Sequence, residues 1–140
     1  MIARRKQVSG QAEAEYAADV ALAAQFDDLL AAARDAEQAF RNAQARAWPI
    51  RELHPLAKRL DTALTDVMRA AYAAQRAEIG PRGYEDRIYR RKAKARLAVR
   101  SWRDEAERLL TLRETHRLTG MPPAPRTDLP EAEGTPYVIS

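Results

Sequence analysis

The sequence predicts an all-α protein: three long amphipathic helices, forming an up-down-up bundle or an extended helical hairpin, then an extended Pro-rich C-terminal tail. Three observations carry this. Twenty-nine of the 140 residues are Ala, the strongest helix former, and β-branched residues are few. Apolar side chains recur at alternating three- and four-residue steps through long stretches, the period of a buried helix face. The 8 Pro and 5 Gly gather mostly where that period lapses, which is where helices stop.

A basic N-terminal arm, residues 1–10, precedes the helical domain, residues 11–119. The first predicted helix covers 11–47, a span without Pro or Gly. Its seam is Leu22, Phe26, Leu29, Ala33, Ala36, Phe40, Ala43 and Ala47, spaced as a heptad. Tyr16, Val20 and Leu30 widen the apolar face. Ser9 suits an N-cap, and Glu13 and Glu15 suit the positive end of the helix dipole. At 1.5 Å per residue this helix would be about 55 Å long.

Trp48-Pro49 ends it, because the residue before Pro resists the α conformation. Pro55 follows six residues later and fits a first helical turn better than an interior. The second helix is therefore placed at 54–79, with 48–54 as connector and Trp48, Ile50 and Leu53 closing the end of the bundle. Its seam is Leu56, Leu60, Leu64, Val67, Ala71 and Ala74, flanked by Met68 and Tyr72. Gly80-Pro81-Arg82-Gly83 stops it. The third helix is placed at 84–118. Glu85 and Asp86 open it, and its seam is Ile88, Ala95, Val99, Trp102, Ala106 and Leu109. Gly120, Pro122 and Pro123 end it. The first and third seams outrun the second, which predicts self-association or a place in a larger assembly.

The tail, 120–140, is different material. Met121-Pro122-Pro123-Ala124-Pro125 favours an extended polyproline conformation. An apolar cluster, Pro136, Tyr137, Val138 and Ile139, sits on this polar leash and is the predicted partner-docking segment.

Charge is unevenly placed. The chain carries 24 basic and 20 acidic residues, net +4. Residues 82–119 hold 12 basic and 6 acidic groups, whereas the tail holds 1 and 3. The basic run of the third helix includes Arg87, Arg90, Arg91 and Lys94. In an up-down-up topology Arg4, Arg5 and Lys6 would join it at one pole. These seven residues are the candidate contacts for nucleic-acid phosphates or an acidic protein surface. On one continuous helical wheel the basic residues of the third helix spread round nearly the whole circumference outside the seam. That dispersal argues against a shaped groove reader.

Chemistry is otherwise sparse. No Cys is present, which excludes disulfides, thiolate zinc sites and a thiol nucleophile. His54 and His116 lack the spacing of a di-iron or zincin motif. Asp27-Asp28 and Asp104-Glu105 are adjacent pairs that point about 100° apart on a helix, so they make poor acid-base partners. Gly80-Pro81-Arg82-Gly83 lacks the Lys-Ser/Thr of a phosphate loop. No run of about 18 apolar residues occurs, so no membrane span is expected. The N-terminus lacks the apolar run of a secretory signal, which makes a cytoplasmic location the expectation. No cofactor, metal or small-molecule substrate is expected, and no enzymatic activity.

In organisation the chain is similar to small helical virion components of tailed bacteriophages, such as neck, connector, portal-associated or ejected internal proteins. The likeness rests on long Ala-rich helices and an extended arm, not on a motif. It implies a non-enzymatic structural or adaptor protein, assembled into the virion, whose C-terminal arm clips onto a neighbouring subunit. The alternative is a nucleic-acid-binding accessory protein that uses the basic pole.

Overall fold

The computed structural model describes residues 7–121. Those residues are predominantly helical and contain no strand, as the class predicts, but they form five α-helices where three were expected. The helices are α1 (Gly10–Ala23), α2 (Phe26–Ala45), α3 (Ile50–Ile79), α4 (Arg87–Ala93) and α5 (Leu97–Thr115). A 3₁₀ turn, Pro81–Tyr84, precedes α4, and a π-helical turn, His116–Gly120, follows α5.

Each boundary has a local cause. Ser9 caps α1 by accepting from the Ala12 amide at 3.1 Å, satisfying one of the amides orphaned at a helix start. The expected 37-residue first helix breaks at Ala24 and Gln25, although neither Pro nor Gly lies there. α2 closes in a Schellman arrangement. The Ala47 amide donates to the Gln44 carbonyl at 2.9 Å, and the Trp48 amide reaches back to Ala43 at 3.1 Å. Ala47 carries φ 53° to make this turn, a conformation that usually selects Gly. α3 begins at Ile50, earlier than expected, and Pro55 lies inside it. The ring removes one backbone bond, but Leu53, Leu56 and Ala57 pack into the core on either side, and that burial outweighs the lost bond. Gly80, with φ 101°, ends α3.

α3 is the central element, packing against α1, α2 and α5. Contacts along it fix the directions. Asp19 of α1 meets Arg76 near the end of α3, whereas Phe40 of α2 and Ala57 of α3 both meet His116 beyond α5. α3 therefore runs antiparallel to the α1–α2 pair and to α5. One end of the molecule holds α4, the 3₁₀ turn and Ser9. The other holds Phe40, Ala57, His116 and Met121.

The core is thin and rich in Ala. Ala57, Ala70, Ala71 and Ala73 are wholly buried along α3, with Leu60, Leu64, Val67 and Met68. Phe26, Ala33, Ala36 and Phe40 face them from α2, and Ala106 and Leu109 from α5. The rings of Phe26 and Trp102 meet edge to face at 5.0 Å. Much of the expected seam is thus buried, with Ala70 and Ala73 added because α3 is covered along more than one face. Other positions depart from it. Ala47 is exposed at the Schellman turn, and Val20 is exposed beside the seam. Trp48 and Ile50 are exposed rather than closing the end. Ile88 and Ala95 also face outward, and Tyr89 and Ala93 pack in their stead with Ile79 and Val99. The break between α4 and α5 shifts the helical phase, which is why this part of the seam fails. No helix among the described residues is long and apolar enough to cross a membrane.

Candidate functional site

The end that holds α4 is built outward from a buried-edge polar cluster. Arg76 grips the Asp19 carboxylate with two bonds, Nε to Oδ2 at 2.8 Å and Nη2 to Oδ1 at 3.0 Å. The Tyr84 hydroxyl donates to the same carboxylate at 2.5 Å, and its ring meets Tyr16 edge to face at 6.3 Å. Burial alone would raise the Asp19 pKa. The bonds from Arg76 and Tyr84 outweigh it, and the carboxyl is held below its usual value. Burial, then the bond to Asp19, pushes the Tyr84 hydroxyl up, so it stays protonated. This cluster fastens α1 and the 3₁₀ turn to α3.

α4 stands on that base. Asp86 caps it by accepting from the Tyr89 amide at 2.9 Å, and that bond, with help from Arg82, holds the Asp86 carboxyl below its usual value. Arg82 bonds Asp86 at 3.1 Å and lies over the Tyr89 ring at 4.7 Å. Arg90 turns inward and donates to the Gly83 carbonyl at 2.7 Å. Gly83 is needed here, because a Cβ would stand 2.4 Å from Ile79 Cγ2. Arg96 reaches back to the Ile79 carbonyl at 3.1 Å, placing a cation at the C-terminus of α3 where the dipole favours one. These bonds turn the chain at Lys94-Ala95-Arg96.

The basic run therefore divides in two. Arg82, Arg90 and Arg96 are structural. Arg87, Arg91, Lys92 and Lys94 are exposed, and their side chains make no ion pair or hydrogen bond among the described residues. At 100° per residue, Lys94, Arg87 and Arg91 share one stripe of α4, with Ile88 and Lys92 beside it. Ile88 is 67% exposed, and Leu97, just past the break, 75%. Around α4 the single-wheel picture changes: the break resets the helical phase, and Arg82, Arg90 and Arg96 are engaged as braces. What remains is a compact basic face flanked by two exposed aliphatic side chains. Such a face suits an acidic, partly apolar partner or a line of phosphates.

Of the predicted contacts, Arg87, Arg91 and Lys94 share this face, and Arg90 does not. Arg4, Arg5 and Lys6 lie outside the described residues. Gln7 and Val8 line a cleft with Arg82, Glu85, Asp86, Arg87 and Ile88, and the Ser9 amide donates to Glu85 at 2.8 Å, so the first described residues lie at this end. Pro136, Tyr137, Val138 and Ile139 also lie outside the described residues.

The opposite end holds His116. Its Nε2 lies 2.8 Å from the Ala57 carbonyl and its ring meets Phe40 at 5.5 Å. Nε2 is thus the protonated nitrogen, and His116 is a packed core residue tying the end of α5 to α3. His54 lies within α3 rather than in a connector. Among the described residues no group of three or more metal-ligating side chains occurs. Sequence reading missed the Asp19–Arg76–Tyr84 cluster and the Arg90 brace. Nothing local signals the first, since its members are 57 and 65 residues apart. Arg90 was recognisable only as one cation of a run.

Comparison with known protein families, with curated proteins and with solved structures finds no match to this chain.

Proposed function

We propose that this chain is a non-enzymatic structural or adaptor subunit of a multi-chain assembly, of the kind found among virion components of tailed bacteriophages. One observation supports this most. Among the described residues, five of the seven exposed large apolar side chains lie toward the two ends of the molecule: Ile88 and Leu97 at one, and Trp48, Ile50 and Leu118, the last 83% exposed, at the other. The other two, Val20 and Leu112, lie on the flanks at 42% and 39%. Apolar ends on a slim helical body are what an end-contacting strut requires. The helices read best as an up-down-up bundle that holds these ends apart, and the segment after Met121, with Pro136, Tyr137, Val138 and Ile139, supplies a docking arm. Native mass spectrometry of the material isolated from cells that make it tests the reading. A particle much larger than 15.8 kDa, with defined co-purifying chains or several copies of this one, is expected. Recovery of the chain only as a free monomer overturns it.

A second reading is favoured by the stripe of unpaired cations on α4: contact with nucleic acid. Four neutralised phosphates would give a log–log salt slope of about −3 to −4 on duplex DNA. Changing Arg87, Arg91, Lys92 and Lys94 to Glu should abolish binding, whereas Arg90→Glu should first damage folding. A chain that shows no binding to DNA or RNA at low salt removes this reading.

A further inference from the structure

The two ends of the molecule are unlike. One presents α4 with Arg87, Arg91, Lys92 and Lys94 exposed and unpaired among the described residues, beside exposed Ile88 and Leu97. From the other, where Met121 packs against the core, leaves a segment of opposite character. Residues 122–140 carry Asp128, Glu131 and Glu133 against a single Arg126, and then Tyr137, Val138 and Ile139. We propose that residues 128–139 of one copy dock on the α4 face of a second copy, so that copies join head to tail. The inference rests on the adaptor reading above and names its partner: another molecule of this chain.

Charge is the first argument. Three carboxylates meet four cations that the fold leaves without a counter-charge, while the braces Arg82, Arg90 and Arg96 are already occupied. Apolar fit is the second. The segment places its aliphatic and aromatic side chains just beyond its acids, as the platform places Ile88 and Leu97 beside its cations. Reach is the third. α5 and the π turn separate Met121 from α4 by about 36 Å at 1.5 Å per residue. The six residues from 122 to 127 that lead to the docking segment span at most about 20–22 Å when fully drawn out. They fall short of the chain's own α4 and cannot bring Asp128 to it. A second copy placed end to end brings α4 within relaxed reach. Because the two surfaces differ, the contact is heterologous, and it propagates as a chain or closes as a ring.

Sedimentation velocity on the purified full chain tests this. Association that grows with concentration is expected, weakening at least tenfold from about 50 to about 500 mM NaCl as screening shortens the reach of charge. Two variants should each be monomeric: the triple substitution Arg87→Glu, Arg91→Glu, Lys94→Glu, which keeps the segment but loses the platform, and deletion of 122–140, which does the reverse. Mixed, they should form a one-to-one pair and go no further, because one intact segment meets one intact platform. Tyr137→Ser with Ile139→Ser, which leaves the described fold untouched, should weaken self-association about tenfold or more. A full chain that stays monomeric overturns the inference, as does undiminished association of either defective variant alone. So does a monomeric chain whose α4 amides exchange more slowly than those of the deletion variant, which would place the segment on its own platform. Duplex DNA that binds α4 while a peptide of residues 126–140 does not would also overturn it. A monomeric purified chain found inside a large native particle would sink this inference and leave the adaptor reading standing.

Discussion

Asp19 illustrates how much of this molecule is held by single side chains. Its carboxylate accepts three hydrogen bonds from two residues on two other elements. Removing the charge with Asp19→Asn should cost about 1 kcal/mol, a figure reduced because Arg76 is half exposed and solvent screens the pair. Urea denaturation at neutral pH measures it. The same group makes stability depend on pH. Its folded pKa lies below the ordinary 3.8, as does that of Asp61, which Arg117 holds down. A depressed carboxylate stabilises the fold fully above the unfolded value, and that stability is lost as pH falls through the folded one. Stability should therefore decline from about pH 5 downward, and the Asp19→Asn, Asp61→Asn double variant should decline less steeply, read from denaturation midpoints across that range. Ala47 offers a change in the other direction. It adopts φ 53°, where Gly fits without strain, so Ala47→Gly should stabilise by about 0.5–1 kcal/mol despite the greater freedom Gly has when unfolded. Gly83→Ala should destabilise by about 1–3 kcal/mol, since the new methyl meets the branch of a buried Ile79 that cannot swing aside.

At the scale of the helix, α4 is the element whose form the sequence least discloses. Residues 84–119 contain neither Pro nor Gly, and Lys, Ala and Arg at 94–96 are all good helix formers. Local preference alone writes one helix there. The turn is imposed from outside, by Arg96 on the carbonyls of Glu78 and Ile79 and by Arg90 on that of Gly83. Arg96→Ala should therefore loosen α4 selectively, with hydrogen exchange of its amides quickening about tenfold while α3 stays protected. The break after Ala23 is equally silent in the sequence. The periodic stretches by contrast were legible because one helix face must be buried at every turn. Phe26, Ala33, Ala36 and Phe40, and Leu60, Leu64 and Val67, lie where their spacing puts them. The candidate site was legible in composition only. Counting placed positive charge in the third helix, but which cations are free depends on carbonyls contributed by distant residues, and no periodicity encodes those.

Over the whole molecule, five of the seven exposed large apolar side chains found among the described residues lie toward the two ends, and four exposed cations share α4, so the proposed assembly role is tested at those surfaces. Low salt should favour association through the α4 face, and the light-scattering mass at about 50 and about 500 mM NaCl, where the screening length differs severalfold, separates that face from any purely apolar contact at the other end. The Ala-lined centre has a consequence of its own for which mutations the protein survives. In most cores trimming a large side chain does the harm. Here Ala57, Ala70, Ala71 and Ala73 show no exposed surface at all, and almost every replacement adds atoms to a space already filled. Damage should run in the opposite sense. A saturation screen of α3 scored by survival of heat should find Ala73→Leu worse than Leu64→Ala, and should find those four positions tolerating little beyond Gly and Ser. Such a centre would preserve its close helix spacing over time by forbidding growth, while the surface at both ends stays free to vary.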